Sequence, residues 1–256
     1  MSQTSVNGRV AEREPALTRR ELRFLERERQ ILDAAREILI KDGLPGLTME
    51  RIAEAINYGR TTVYEHFPCK EEIITEITHE AVRLHLKLYD RVLQFDARPR
   101  ERMVAVGEVS TIVHRWYPRH FITLLLSYTN VMRDKISPER TQAGIAFDSR
   151  VRAIVEGIIR DGVAVGDLVL AEGVTPEQIN AGLWYLTVGG YAFVSTDAPL
   201  AQSGVAGPIP TLRLIGNAVL DGLGWRPLST EWDYRETMRR IYTEVFPPEV
   251  IEEVLS

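Results

Sequence analysis

The chain has 256 residues, of which 45% are hydrophobic and 26% charged, the proportions of a globular protein with a sizeable core. This composition excludes a wholly disordered chain. The longest near-apolar run, residues 121–126, falls far short of the roughly 18 residues a membrane-spanning helix needs, so no membrane partner is expected. The net charge of −5 hides an asymmetry, because residues 1–70 hold 12 basic and 11 acidic side chains and the acidic surplus lies in the later chain.

The length suits one large domain or two modest ones. The opening residues MSQTSVNGRVAERE have no apolar h-region, so no secretory signal is expected. A single cysteine, Cys69, allows no intrachain disulfide and suits a cytoplasmic location. Residues 1–17 are polar and aperiodic. Residues 17–29 mix Arg19, Arg20, Arg23, Arg27 and Arg29 with Glu21, Glu26 and Glu28, which reads as the lead-in to a helix. Residues 1–24 are therefore expected to be a disordered or partly helical arm.

From Gln30 the periodicity is helical, with Ile31, Leu32, Ala35, Ile38 and Leu39 on one face. Gly43 is placed to end that helix, and 44–47 is read as a short loop. Thr48 caps the next helix, 48–56, in which Ile52 and Ile56 share a face. Asn57-Tyr58-Gly59 breaks it, since Asn and Gly tolerate left-handed backbone. A second short helix follows over 60–67, stopped by Pro68. Two short helices joined by such a turn form a helix-turn-helix, whose second helix enters the DNA major groove. The outward side chains suit that partner: Arg60 pairs bidentately with guanine or phosphate, and Thr61 and Thr62 reach bases or thymine methyls. Tyr64, His66, Lys70 and Thr48 can donate to phosphate oxygens.

Beyond residue 70 the expected helices are 70–95, 99–116, 119–134, 138–165, 176–195, 210–223 and 230–246. Pro99, Pro118, Pro138, Pro176 and Pro210 are each placed to open a helix at its first position. The 197–210 stretch reads as a flexible loop. With no strand alternation, the fold class is all-α.

Residues 29–76 resemble the DNA-binding domain of the TetR family of bacterial transcriptional regulators through ILDAAREILIKDG, LTMERIAEAI and TTVYEHFPCKEEII. The resemblance implies a three-helix DNA-binding domain over 25–75. A larger helical ligand-binding and dimerisation domain would span 76–256, with a C-terminal extension over 225–256. Residue by residue, it carries DNA contact to Thr48, Arg60, Thr61, Thr62, Tyr64, His66 and Lys70. Asn57 stands at the family's turn glycine and Gly59 at its opening serine. Cys69 takes the place of a better cap, where a helix N-terminus beside Lys70 lowers a thiol pKa.

The same resemblance implies a homodimer that binds a double-stranded operator and a small-molecule effector of unknown identity. Its expected dimer face holds Ile179, Leu183 and Leu186 on one helix and Leu212, Ile215, Val219 and Leu223 on another. The expected ligand residues are Met103, His114, Trp116, Tyr117, Phe121, Leu125 and Tyr128, with Val106 and Met132 beside them. Residues 225–256, with Tyr234, Met238, Ile241 and Val245 on one face, are expected to pack on their own domain.

No phosphate-binding GxxxxGK[ST] loop, no GxSxG elbow and no paired histidines occur, so neither a cofactor, a metal nor catalytic residues are expected. The alternative function is a helical ligand-binding or interaction module without sequence-specific DNA binding.

Overall fold

The computed structural model describes residues 17–196 and 207–255. The expected arm over 1–16 and the loop over 197–206 lie outside the described residues. The described residues are helical, with no strand among them.

Helix α1, Arg19–Gly46, opens on a capping box: Thr18 accepts from the Glu21 amide while the Glu21 carboxylate takes the Thr18 amide at 2.7 Å. The helix thus begins inside the segment read as an arm. Its buried face is the expected set Ile31, Leu32, Ala35, Ile38 and Leu39. Gly43 breaks it with φ of +67°, a conformation only glycine adopts freely. A further helical turn over 44–46 replaces the expected loop.

α2, Met49–Ala55, is capped by Thr48, and α3 is Arg60–His66. Asn57 between them takes φ of +58°, as the turn requires. α4, Lys70–Leu93, is shared by two cores. Its Ile73, Ile74 and Ile77 pack with α1, Leu47, Ile52, Val63 and Phe67. Its Leu88, Tyr89 and Val92 pack with α5, Pro99–Trp116, and α8, Pro138–Ala164, around Val109, Val113, Ile158 and Ile159. Each such side chain contributes about 1.5–3 kcal/mol on burial.

The expected helix 119–134 is two pieces, α6 His120–Ser127 and α7 Asn130–Arg133. The hydroxyls of Ser127 and Thr129 donate back to the carbonyls of Leu124 and Leu126 at 2.6 and 2.7 Å, competing with the helical ladder. Pro118 precedes α6 instead of opening it.

α9, Pro176–Val194, and α10, Pro208–Gly222, follow. Pro208, not Pro210, holds the first position of α10; both fall in a first turn whose amides lack helical partners anyway. α11, Tyr234–Arg240, runs into a π-type turn at Ile241–Val245, and α12, Pro248–Leu255, follows. α12 has no counterpart among the expected helices. The residues after α10 close the larger core. Trp225 is fully buried, and the fully buried Arg100 donates to its carbonyl and to Asp221 at 2.6 Å.

Candidate nucleic-acid interface and cavity

The α2–α3 hairpin turns Val63 and Phe67 fully into the core, so the opposite face of α3 is left to solvent. Arg60 is 65% exposed and lies 3.0 Å from Glu50 of α2. Thr61 and Tyr64 are exposed on the same helix, and Thr62 is half-buried. The Thr48 oxygen accepts from the Arg51 amide at 3.2 Å, leaving its proton free to be donated. Lys70 is half-buried at the first position of α4.

His66 departs from this group. Its ring lies against Phe24 of α1, centroids 4.0 Å apart, and burial, reinforced by nearby Arg27, holds its pKa below the usual value. Its imidazole is thus biased toward the neutral form. Cys69 departs too. Its thiol makes no cap bond, meets the Lys135 carbonyl at 3.5 Å, and is pushed up by burial, against the lowering expected of a helix N-terminus.

The extension of α1 contributes what periodicity did not show. Arg20, Arg23 and Arg27, spaced i, i+3, i+7, line one open cleft with His66, and Arg27 stacks over Tyr58 at 3.9 Å. In sequence, interleaved acids conceal this stripe. In the fold Glu21 is used in the cap, Glu26 pairs with Arg29 at 3.1 Å, and Glu28 faces Arg140 at 3.8 Å.

A second feature is a cavity of about 160 Å³ between α5, α9, α10 and α11. Its walls are Met103, Val104, Val106, Leu183, Leu186, Leu212, Leu220 and Met238, with Glu108, Thr111, Tyr191, Arg213 and Asn217 supplying polar atoms. Glu108 is 3% exposed and takes Arg213 in a fork at 2.8 and 2.6 Å, plus the Tyr242 hydroxyl at 2.6 Å. Thr111 and Tyr191 share a hydroxyl hydrogen bond of 2.6 Å.

Of the expected ligand residues, Met103 and the neighbouring Val106 line this cavity. His114 and Phe121 stand behind Tyr191, with ring centroids 5.3 and 4.8 Å from it. Tyr117 packs by Arg36, and Met132 joins the N-terminal core. Trp116, Leu125 and Tyr128 are nearly half exposed, Tyr128 donating to Asp148 at 3.1 Å. Glu108 had one sequence signal, a carboxylate set among Val106, Val109 and Ile112 on a buried face.

The expected dimer stripe also divides. Ile179 is buried, Leu183, Leu186 and Leu212 line the cavity, and Leu223 leans on the core. Ile215 and Val219 stay exposed and continue into Leu214, Tyr185 and Phe193, which are 67%, 73% and 54% exposed. The unpartnered apolar face of α9 and α10 is thus rotated from the expected one toward these residues.

Residues 31–77 match the model of the bacterial regulatory proteins of the tetR family. The chain is 21% identical over 154 residues to the fatty acid metabolism regulator protein of Bacillus subtilis, covering 60% of this chain and 71% of that one. Its fold is similar to that of the TetR family transcriptional regulator PfmR from Thermus thermophilus, with TM-score 0.59 and 21% identity over 75% of this chain and 98% of the other. A TetR/AcrR-family regulator from Thermobifida fusca gives TM-score 0.58 and 22% identity over 77% of this chain and 98% of the other. Among the described residues no helix is long and apolar enough to cross a membrane. Residues 31–77 thus match the bacterial regulatory proteins of the tetR family, and they open an all-helical fold similar to that of the regulators above.

Proposed function

We propose that this transcriptional regulator is a homodimeric repressor released from a palindromic operator by a small-molecule effector. In this reading residues 25–75 bind DNA and 76–256 hold the effector and the dimer contact. The observation that carries it is the exposed face of α3, where Arg60, Thr61 and Tyr64 stand clear of a core closed by Val63 and Phe67. Thr48 and Lys70 flank that face as phosphate donors, and Arg20, Arg23 and Arg27 extend the basic surface along α1. The face of Tyr185, Phe193, Leu214, Ile215 and Val219 is the surface a second copy would cover.

Release requires only that the effector prefer one arrangement of the molecule. α4 enters both cores, and Arg140 at the start of α8 ties the domains by ion pairs to Glu72, at 2.5 Å, and Glu76 of α4. A rearrangement of α5, α9 and α10 around an occupied cavity therefore has a packed route to the DNA-binding helices.

The test is fluorescence anisotropy on the genomic fragment that binds tightest, at 50 to 200 mM salt. The expected result is a steep fall of affinity with salt, from counterion release, and weaker binding by R60A and K70A with unchanged thermal melting. Salt-independent binding, or variants that bind as the wild type does, would overturn the assignment.

A further inference from the structure

The cavity between α5, α9, α10 and α11 has a definite chemistry, and it rests on the reading of that cavity as the effector site. Both of its charged groups are satisfied from within. The Glu108 carboxylate receives two bonds from Arg213 and one from Tyr242, and that same hydroxyl accepts from Arg213 at 3.4 Å. Carboxylate and guanidinium in a two-bond fork neutralise one another. An anionic ligand would have to displace Glu108 from Arg213, and a cationic one would have to displace Arg213 from Glu108. The first exchange strands the Glu108 carboxylate, 3% exposed, without its partner, the costly outcome for a buried charge; the second moves a guanidinium that is 39% exposed and breaks its two-bond fork.

The remaining polar atoms ask for something neutral. Asn217 lines the cavity, and its Oδ1 atom is buried with no hydrogen-bond partner among the described residues. A buried amide oxygen without a donor is costly, so a ligand that supplies one gains that difference. The Thr111–Tyr191 hydroxyl pair is already closed on itself at 2.6 Å. Met103 and Met238 give the apolar wall two adaptable side chains. At about 160 Å³ the space matches an apolar cavity of ~150 Å³ that admits a benzene ring.

We propose that this cavity binds an uncharged, ring-sized apolar molecule carrying one hydroxyl or N–H group, which is held by Asn217. The probes are benzyl alcohol, toluene, benzoate and benzylammonium, which share a ring and differ in the polar group. Each is titrated calorimetrically into the full-length protein without DNA. Binding is located by the ε-methyl signals of Met103 and Met238, with Met49 and Met132 of the N-terminal core as internal references.

Benzyl alcohol is expected to bind at least tenfold more tightly than either charged probe and to shift the Met103 and Met238 signals. N217L is expected to bring benzyl alcohol to the affinity of toluene while toluene itself binds as before. Benzoate binding tightest would show Arg213 open to anions, and benzylammonium tightest would show Glu108 open to cations; either overturns the proposal. So would equal binding of toluene and benzyl alcohol by the wild type, binding that leaves the two cavity methionines unmoved, or no binding by any probe. Because no DNA is present, failure here leaves operator binding intact. A bound probe that fails to release DNA would instead count against the effector reading of the cavity.

Discussion

Arg60 and Glu50 illustrate how one side chain is held between two partners. In the free protein the guanidinium lies 3.0 Å from the carboxylate, and DNA must compete for it. Removing the carboxylate charge with E50Q is expected to tighten operator binding about two- to fivefold, the worth of an exposed ion pair. A titration in which E50Q binds more weakly than wild type would show that Glu50 positions Arg60 instead of restraining it. Thr48 carries two loads, since its oxygen caps α2. T48A should therefore lower stability by about 1 kcal/mol as well as weaken DNA binding, and T48S should restore both. The outward residues Arg60, Thr61 and Tyr64 were legible in sequence because a 3.6-residue period and two inward anchors, Val63 and Phe67, fix which face remains. His66 was not, because its partner Phe24 is 42 positions away in the chain.

At the scale of elements, the turn between α2 and α3 depends on one backbone conformation. Asn57 has φ of +58°, so N57G should be tolerated, whereas N57V should cost about 1–2 kcal/mol. Chemical denaturation of the two variants checks this, and equal midpoints would contradict it. Gly162 of α8 is tied to a different demand: a Cβ there would stand 2.9 Å from the fully buried Trp225 ring. G162A should cost about 1–3 kcal/mol through displacement of Trp225, although alanine is the better helix former. Most element boundaries were legible, since Thr48 caps α2 and Pro99, Pro138 and Pro176 open α5, α8 and α9. The break between α6 and α7 was hidden because it rests on Ser127 and Thr129 bonding back to carbonyls, an option those residues do not always take. The basic stripe on α1 was hidden for a related reason, since only the fold shows which acids are already paired.

Across the whole molecule, buried histidines give stability a dependence on pH. Burial lowers His79 and His85 to about 4 and holds His120 well below its usual value, with His85 and His114 adding to the effect on His120. The unfolded chain takes up these protons near 6.5 while the folded chain refuses them. Their contribution is therefore complete above about 6.5 and is lost as pH falls from there toward 4. Melting temperature should drop across that window, and H120F, which removes one such group, should show a shallower drop. Parallel profiles for the two proteins would contradict this. The all-helical architecture was legible in periodicity alone. The cavity was not, since it is formed where residues 103–111 of α5 meet residues 183–191 of α9, 212–220 of α10 and Met238 of α11, and single-helix patterns do not show which faces meet.

In the proposed dimer, two copies of the α2–α3 unit read one DNA site together. Genome-wide capture of bound DNA by the purified full-length protein, followed by footprinting of the best fragment with wild type and R60A, tests it most directly. The expected result is two protected, inverted half-sites whose centres lie about 34–36 Å apart or a multiple of that, with protection weakened by R60A. No enrichment over background, or a footprint without two-fold symmetry that R60A leaves unchanged, would contradict it.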